Sequence, residues 1–104
     1  MVNLTPVVSE FKKKVLEEFG NAVFILFGSQ VRGDAEEESD IDVLVILDRE
    51  VNTLVREKIY DIAYEIELKY DIVLDVSVFS KFEWDRYRKV LPFAIRVEKE
   101  GIVV

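Results

Sequence analysis

Asp40 and Asp42 stand two residues apart at the opening of an apolar run, Ile41 to Leu47. Side chains along a strand alternate between faces, so both carboxylates leave the same face, about 6.5–7 Å apart along the backbone. Like charges held that close repel unless a cation lies between them. Such a conflict between local physics and a folded sheet marks a functional site. Asp75 is a third carboxylate, the one charge on a strand otherwise dense in branched residues, Ile72 to Phe79. Upstream, Gly28-Ser29 closes another apolar run, Ala22 to Phe27. A strand that ends in Gly-Ser and turns into a short helix through Arg32 offers backbone N–H groups and a hydroxyl at a helix N-terminus, an arrangement suited to anions. Each signal alone has an ordinary reading: a turn, a solvated edge, a carboxylate paired with an arginine. Together they converge. Three carboxylates hold one or two Mg²⁺ ions, which keep an octahedral shell by sharing ligands with substrate phosphates. Two such ions clamp the attacking and leaving oxygens of an in-line displacement. The chemistry implied is metal-dependent phosphoryl or nucleotidyl transfer.

The elements that must position these groups follow from periodicity and punctuation. Thr5-Pro6 opens a helix, with Thr5 as N-cap, and Gly20 closes it. Val8, Phe11, Val15 and Phe19 form its apolar face. Ala22–Phe27 and Ile41–Leu47 are continuous apolar runs of strand length, joined through the acidic loop Asp34–Ser39. Thr53–Tyr70 is the longest helical pattern, with Val55, Ile59, Ile62, Ile66 and Tyr70 on one face and Tyr60, Tyr64 and Leu68 on another. Ser80-Lys-Phe-Glu83 is a capping box that starts a helix through about Lys89. Pro92 opens a last helix stopped by Gly101, and Ile102–Val104 adds an edge strand. The fold class expected is α/β (α+β), a small sheet flanked by helices. The spacer between the first two strands is too short for a crossover helix, so the sheet is expected to be mixed.

With 104 residues, half of them hydrophobic and a third charged, the chain is expected to form one soluble domain over residues 1–104. No apolar run approaches the ~20 residues of a membrane span, and the N-terminus lacks a signal-peptide layout, so a cytoplasmic location is expected. Cysteine and histidine are both absent, which removes disulfides, thiolate metal sites and the usual general base. Catalysis must run on carboxylates, hydroxyls and cations. The net charge is −7, and residues 34–52 alone carry eight acidic side chains against one basic. Acid focused at one place argues against direct nucleic-acid binding, which needs a basic footprint, and favours hard divalent cations. The Lys12, Lys13 and Lys14 run reads as a solvated helix surface.

Gly28-Ser29, ten residues, then Asp40-x-Asp42 resembles the signature of the polymerase beta-type nucleotidyltransferase superfamily. The fuller Phe27-Gly-Ser-Gln-Val-Arg-Gly33 with Ser39-Asp-Ile-Asp-Val-Leu-Val45 is similar to its smallest branch, the minimal nucleotidyltransferase (MNT) domains. The chain length, the Asp75 strand and the closing Glu98-Lys-Glu-Gly101 also resemble that branch. The resemblance implies that Gly28 and Ser29 hold the β- and γ-phosphates of a nucleoside triphosphate, and that Asp40 and Asp42 ligate metal. It implies that Asp75 completes the second metal site and favours deprotonation of an acceptor hydroxyl. Arg32 matches the family's arginine, either as a phosphate contact or as a structural pair. The resemblance further implies Mg²⁺ and ATP as cofactor and donor, and transfer of AMP to a tyrosine of a HEPN-family ribonuclease toxin that this chain antagonises as antitoxin.

Two other classes stay open at this stage. One is a binding module that neutralises its partner by contact, with Tyr60, Tyr64, Leu68, Phe82, Trp84 and Tyr87 as docking candidates. The other is a small-molecule nucleotidyltransferase, which needs a pocket that so short a chain walls off only as a homodimer. The intact Gly-Ser pair and all three carboxylates favour an enzyme that modifies a protein.

Overall fold

A computed structural model describes residues 5–28 and 40–104. Helix α1 (Thr5–Phe19) precedes strand β1 (Ala22–Phe27), then β2 (Ile41–Leu47), helix α2 (Thr53–Tyr70) and β3 (Leu74–Ser80). Helices α3 (Lys81–Tyr87) and α4 (Pro92–Glu100) and the short strand β4 (Ile102–Val103) complete the order. The strands form one four-stranded sheet in the order β3-β2-β1-β4. It is mixed, as the short spacer requires: β1 runs antiparallel to β2 and β4, while β2 and β3 are parallel. The parallel pair is joined by α2, the crossover that such a pair needs.

Alternation along the strands divides the molecule into two apolar layers. Phe24, Ile41, Val43, Val45, Leu47, Leu74 and Val78 face α1 and α2, which contribute Val7, Phe11, Val15, Val55, Ile59, Ala63 and Ile66. Ile59 and Ile66 are fully buried there, each worth about 1.5–3 kcal/mol relative to an exposed side chain. Ile25, Leu44 and Ile46 face the other way, under Trp84, Ala94 and Val97 of α3 and α4.

Local chemistry explains the element ends. Asn52 caps α2 by accepting the Val55 N–H (2.9 Å), and Asp71 ends it in the left-handed region at φ 52°. That turn delays β3, which begins at Leu74 rather than Ile72 and extends to Ser80. The Ser80 hydroxyl accepts the Glu83 N–H (3.0 Å) while the Glu83 carboxylate accepts the Ser80 N–H (3.1 Å), the capping box read from the sequence. Helix α3 stops at Tyr87, short of Lys89, because residues 88–90 form a turn. On α1 the buried face starts at Val7, not Val8: Val7, Phe11 and Val15 recur every four residues toward the sheet and leave Val8 half-exposed. Thr5 lies within the helix, which puts Pro6 in its first turn. Among the described residues no helix is long and apolar enough to cross a membrane.

Candidate active site

Strand register brings the chemistry-bearing residues together. Phe27 pairs with Asp42 across the antiparallel ladder, and Asp42 pairs with Asp75 across the parallel one. One row of the sheet therefore reads Phe27, Asp42, Asp75 from β1 to β3. The next rows read Ile25, Leu44, Ser77, and then Val23, Ile46, Phe79. In-register neighbours point to one face. Leu44 and Ile46 assign that face to the side of α3 and α4, whose buried residues cover the rows behind the carboxylates. Asp42 is half-buried; Asp40 and Asp75 are exposed. Asp40 immediately precedes β2, where the Ile41 N–H bonds the Val73 carbonyl (2.9 Å), so the backbone around it already follows the parallel ladder.

Gly28 closes the row from the β1 side. Its φ is 83°, which L side chains rarely adopt, and a β-carbon placed there would overlap the Asp42 carboxylate. Glycine at this point lets main chain lie directly against a carboxylate. Ser29 and Arg32, with the proposed short helix and the Asp34–Ser39 loop, lie outside the described residues.

A family model described as a nucleotidyltransferase domain matches residues 8–103. The chain belongs to this family. A Methanocaldococcus jannaschii protein named "Putative protein adenylyltransferase MJ0141" is 39% identical over 83 residues, which cover 77% of this chain and 83% of that protein. The protein adenylyltransferase MntA of Thermococcus cleftensis is 35% identical over 78 residues, 71% of this chain and 76% of its own. Among solved structures, one described as a putative nucleotidyltransferase from Sulfolobus solfataricus superposes with a TM-score of 0.60 at 25% identity, over 94% of this chain and 76% of that one. A toxin–antitoxin structure with AMP-PNP shares the fold at 20% identity and a TM-score of 0.54, over 89% of this chain and 68% of that one. The chain is thus a nucleotidyltransferase whose relatives carry the name protein adenylyltransferase.

Whether these residues suit a divalent cation can be judged from the donors themselves. Asp42 and Asp75 supply hard oxygen ligands from adjacent strands in register, and Gly28 keeps the space over Asp42 clear of a side chain. Among the described residues no three carboxylates are already gathered as a metal cluster. The donor type and the strand placement fit magnesium. Full convergence would require Asp40, just ahead of β2, and substrate phosphates to complete the shell.

The docking candidates separate. Tyr60, Tyr64, Leu68 and Phe82 are exposed. Trp84 is not a surface residue: it is buried among Ile25, Leu44 and Ile46, with its indole N–H donating to Glu98 (3.1 Å). Tyr87 is half-buried against Phe79, ring centroids 6.0 Å apart. Helical spacing places an aromatic on a face but does not say which face a neighbouring strand will cover. Phe93 is the residue missed: it meets Phe27 at 5.4 Å and Phe79 at 6.4 Å between centroids, beside the carboxylate row. Its one sequence signal was its place just after Pro92 at the start of a helix.

Proposed function

We propose that this nucleotidyltransferase moves AMP from ATP to a hydroxyl of a partner protein in a Mg²⁺-dependent reaction, and that the partner is a HEPN-family toxin which the modification silences. The observation that carries the reading is the grouping of Gly28, Asp42 and Asp75: main chain bare of a side chain against one of two carboxylates that stand in register on adjacent strands, all at one end of the sheet. The names of the relatives support adenylyl transfer to protein, and a toxin–antitoxin assembly of the same fold supports the kind of partner.

In this reading Gly28 and Ser29 hold the β- and γ-phosphates through backbone N–H groups and the serine hydroxyl, and Arg32 offers them positive charge. Asp40, Asp42 and Asp75 would hold one or two Mg²⁺, which when bound neutralise charge on the phosphates and acidify a coordinated hydroxyl. Asp75 orients the acceptor hydroxyl and takes up its proton. The acceptor oxygen bonds to the α-phosphorus, the bond from that phosphorus to the bridging oxygen breaks, and pyrophosphate leaves. A reaction that draws on ATP and Mg²⁺ suits the cytoplasm, which is the location proposed.

A second reading, neutralisation by contact alone, draws on the exposed Tyr60, Tyr64 and Leu68 on the outer side of α2. One experiment separates the two. The protein and an Asp40→Asn/Asp42→Asn variant are each incubated with labelled ATP, Mg²⁺ and the product of the neighbouring gene. Label on the partner with the native protein alone supports transfer. Neutralisation by both proteins without label supports contact.

A further inference from the structure

Helix α2 has two apolar faces, and the fold covers one of them. Val55, Ile59, Ala63 and Ile66 are buried against the sheet. On the open side Tyr60, Tyr64 and Leu68 are 45%, 60% and 67% exposed. They recur every four residues, so they line up as one ridge of eight helical rises, about 12 Å long. Glu57, Asp61 and Glu65 recur in the same way and form an acidic ridge beside it. Exposed apolar residues scattered singly are ordinary, whereas a continuous ridge rimmed by charge marks an interface.

The cations of α2 are drawn to its flanks. Lys58 and Lys69 pair with Glu18 (3.0 Å) and Glu10 (2.7 Å) of α1. Arg56 pairs on the other flank with Glu83 (3.7 Å) and donates to the Val78 carbonyl (3.3 Å). Glu65 is held by Lys14 (3.3 Å). Glu57 and Asp61 are exposed and have no ion-pair partner among the described residues. The open face of α2 thus combines an apolar ridge with uncompensated negative charge.

We propose that this face docks a cationic amphipathic helix of a partner protein. Apolar residues of that helix, four apart, would pack on Tyr60, Tyr64 and Leu68, and its lysines or arginines would face Glu57 and Asp61. This rests on the protein partner of the reading above, but not on transfer to it. Charge selects the occupant. A second copy of the chain carries the same net charge of −7, and its own α2 would set acid against acid. Its α4 offers Arg96 and Lys99, but the one large apolar side chain that α4 exposes is Ile95, too little to cover the ridge. Helix α2 also packs on the sheet face opposite α3 and α4, the side on which Asp42 lies. A helix seated on α2 leaves the carboxylates open, so holding the partner and modifying it are separable.

The test uses a synthetic helical peptide with leucine at every fourth position and lysines along one flank, and a control peptide with glutamates in place of the lysines. Amide shifts of the native protein are followed by NMR. The lysine peptide is expected to shift residues 57–68, less so in high salt, and the glutamate peptide to shift none. Tyr64→Ala/Leu68→Ala changes exposed residues and should keep the native urea midpoint, yet weaken the lysine peptide by at least about tenfold. With the product of the neighbouring gene in place of the peptide, sedimentation should show the same loss for that double variant and an intact complex for Asp42→Asn. Peptide shifts confined to residues 40–52 overturn the proposal, as does a gene product that binds the double variant within about twofold of the native protein or does not bind the native protein. Self-association of the native protein that the double variant abolishes assigns the face to a second copy and also overturns it. Docking on α2 without label transfer to the gene product upholds this surface and counts against the transferase reading instead.

Discussion

Replacing Gly28 by alanine perturbs the site through a single methyl group, and a matched control exists in the same chain. Gly28 and Gly20 both have positive φ, 83° and 78°. A left-handed conformation costs an L-residue roughly 1–2 kcal/mol, so each Gly→Ala change should lower folding stability by about that amount. At Gly20 nothing lies within 4 Å of the added carbon. At Gly28 the methyl falls on the Asp42 carboxylate, which must swing away. A ligand shifted by about 1 Å costs on the order of 10²-fold in rate, or about 2.7 kcal/mol of barrier. Urea unfolding should therefore show similar losses for Gly20→Ala and Gly28→Ala, while single-turnover transfer from labelled ATP falls about 100-fold for Gly28→Ala alone. Transfer by Gly28→Ala within a few-fold of Gly20→Ala would refute the idea that the bare backbone exists to keep Asp42 in place.

Other expectations concern metal, pH and helix ends. Because residues 34–52 are so acidic, the triphosphate should bind only with cation present, and transfer should rise steeply from trace to millimolar Mg²⁺; a flat magnesium titration rejects this. On the opposite face, the hydrogen bond from Lys69 (2.7 Å) holds the Glu10 carboxyl below its usual 4.5, with further help from the Tyr70 hydroxyl. A depressed carboxylate contributes stability above its unfolded pKa and loses it as pH falls through the folded value. Urea midpoints should thus drop below about pH 4.5 less steeply in Glu10→Gln than in the native protein. Ser80→Ala removes the acceptor that caps α3 and should cost about 1 kcal/mol in urea unfolding. Asp71→Gly relieves the left-handed C-cap of α2 and should raise stability by up to about 1 kcal/mol in the same assay.

Apolar pattern and end signals define most of the elements locally, and the places where the structure differs mark where local signals stop. Thr53–Tyr70, Ala22–Phe27 and Ile41–Leu47 keep their expected limits, because apolar period and end signals agree there. The covered face of α1 begins at Val7 where the spacing predicts Val8, and Trp84, a docking candidate, is buried. Val7 and Val8 are equally apolar neighbours, whereas Trp84 is flanked by Glu83 and Asp85 on a short helix; in both places only the packing partner decides what is covered.

The sequence by itself determined the family signature, the acidic character and the mixed sheet, since spacing, composition and loop length are properties of the chain alone. It also supplied the expectation that Asp40 and Asp42 share one face, because alternation along a strand is local. That Asp75 stands in register with Asp42, that Gly28 lies against the same carboxylate, and that Phe93 packs on Phe27 was decided only by the tertiary structure. Pairing between strands and the docking of α4 join residues far apart in the chain, and no local periodicity carries that information.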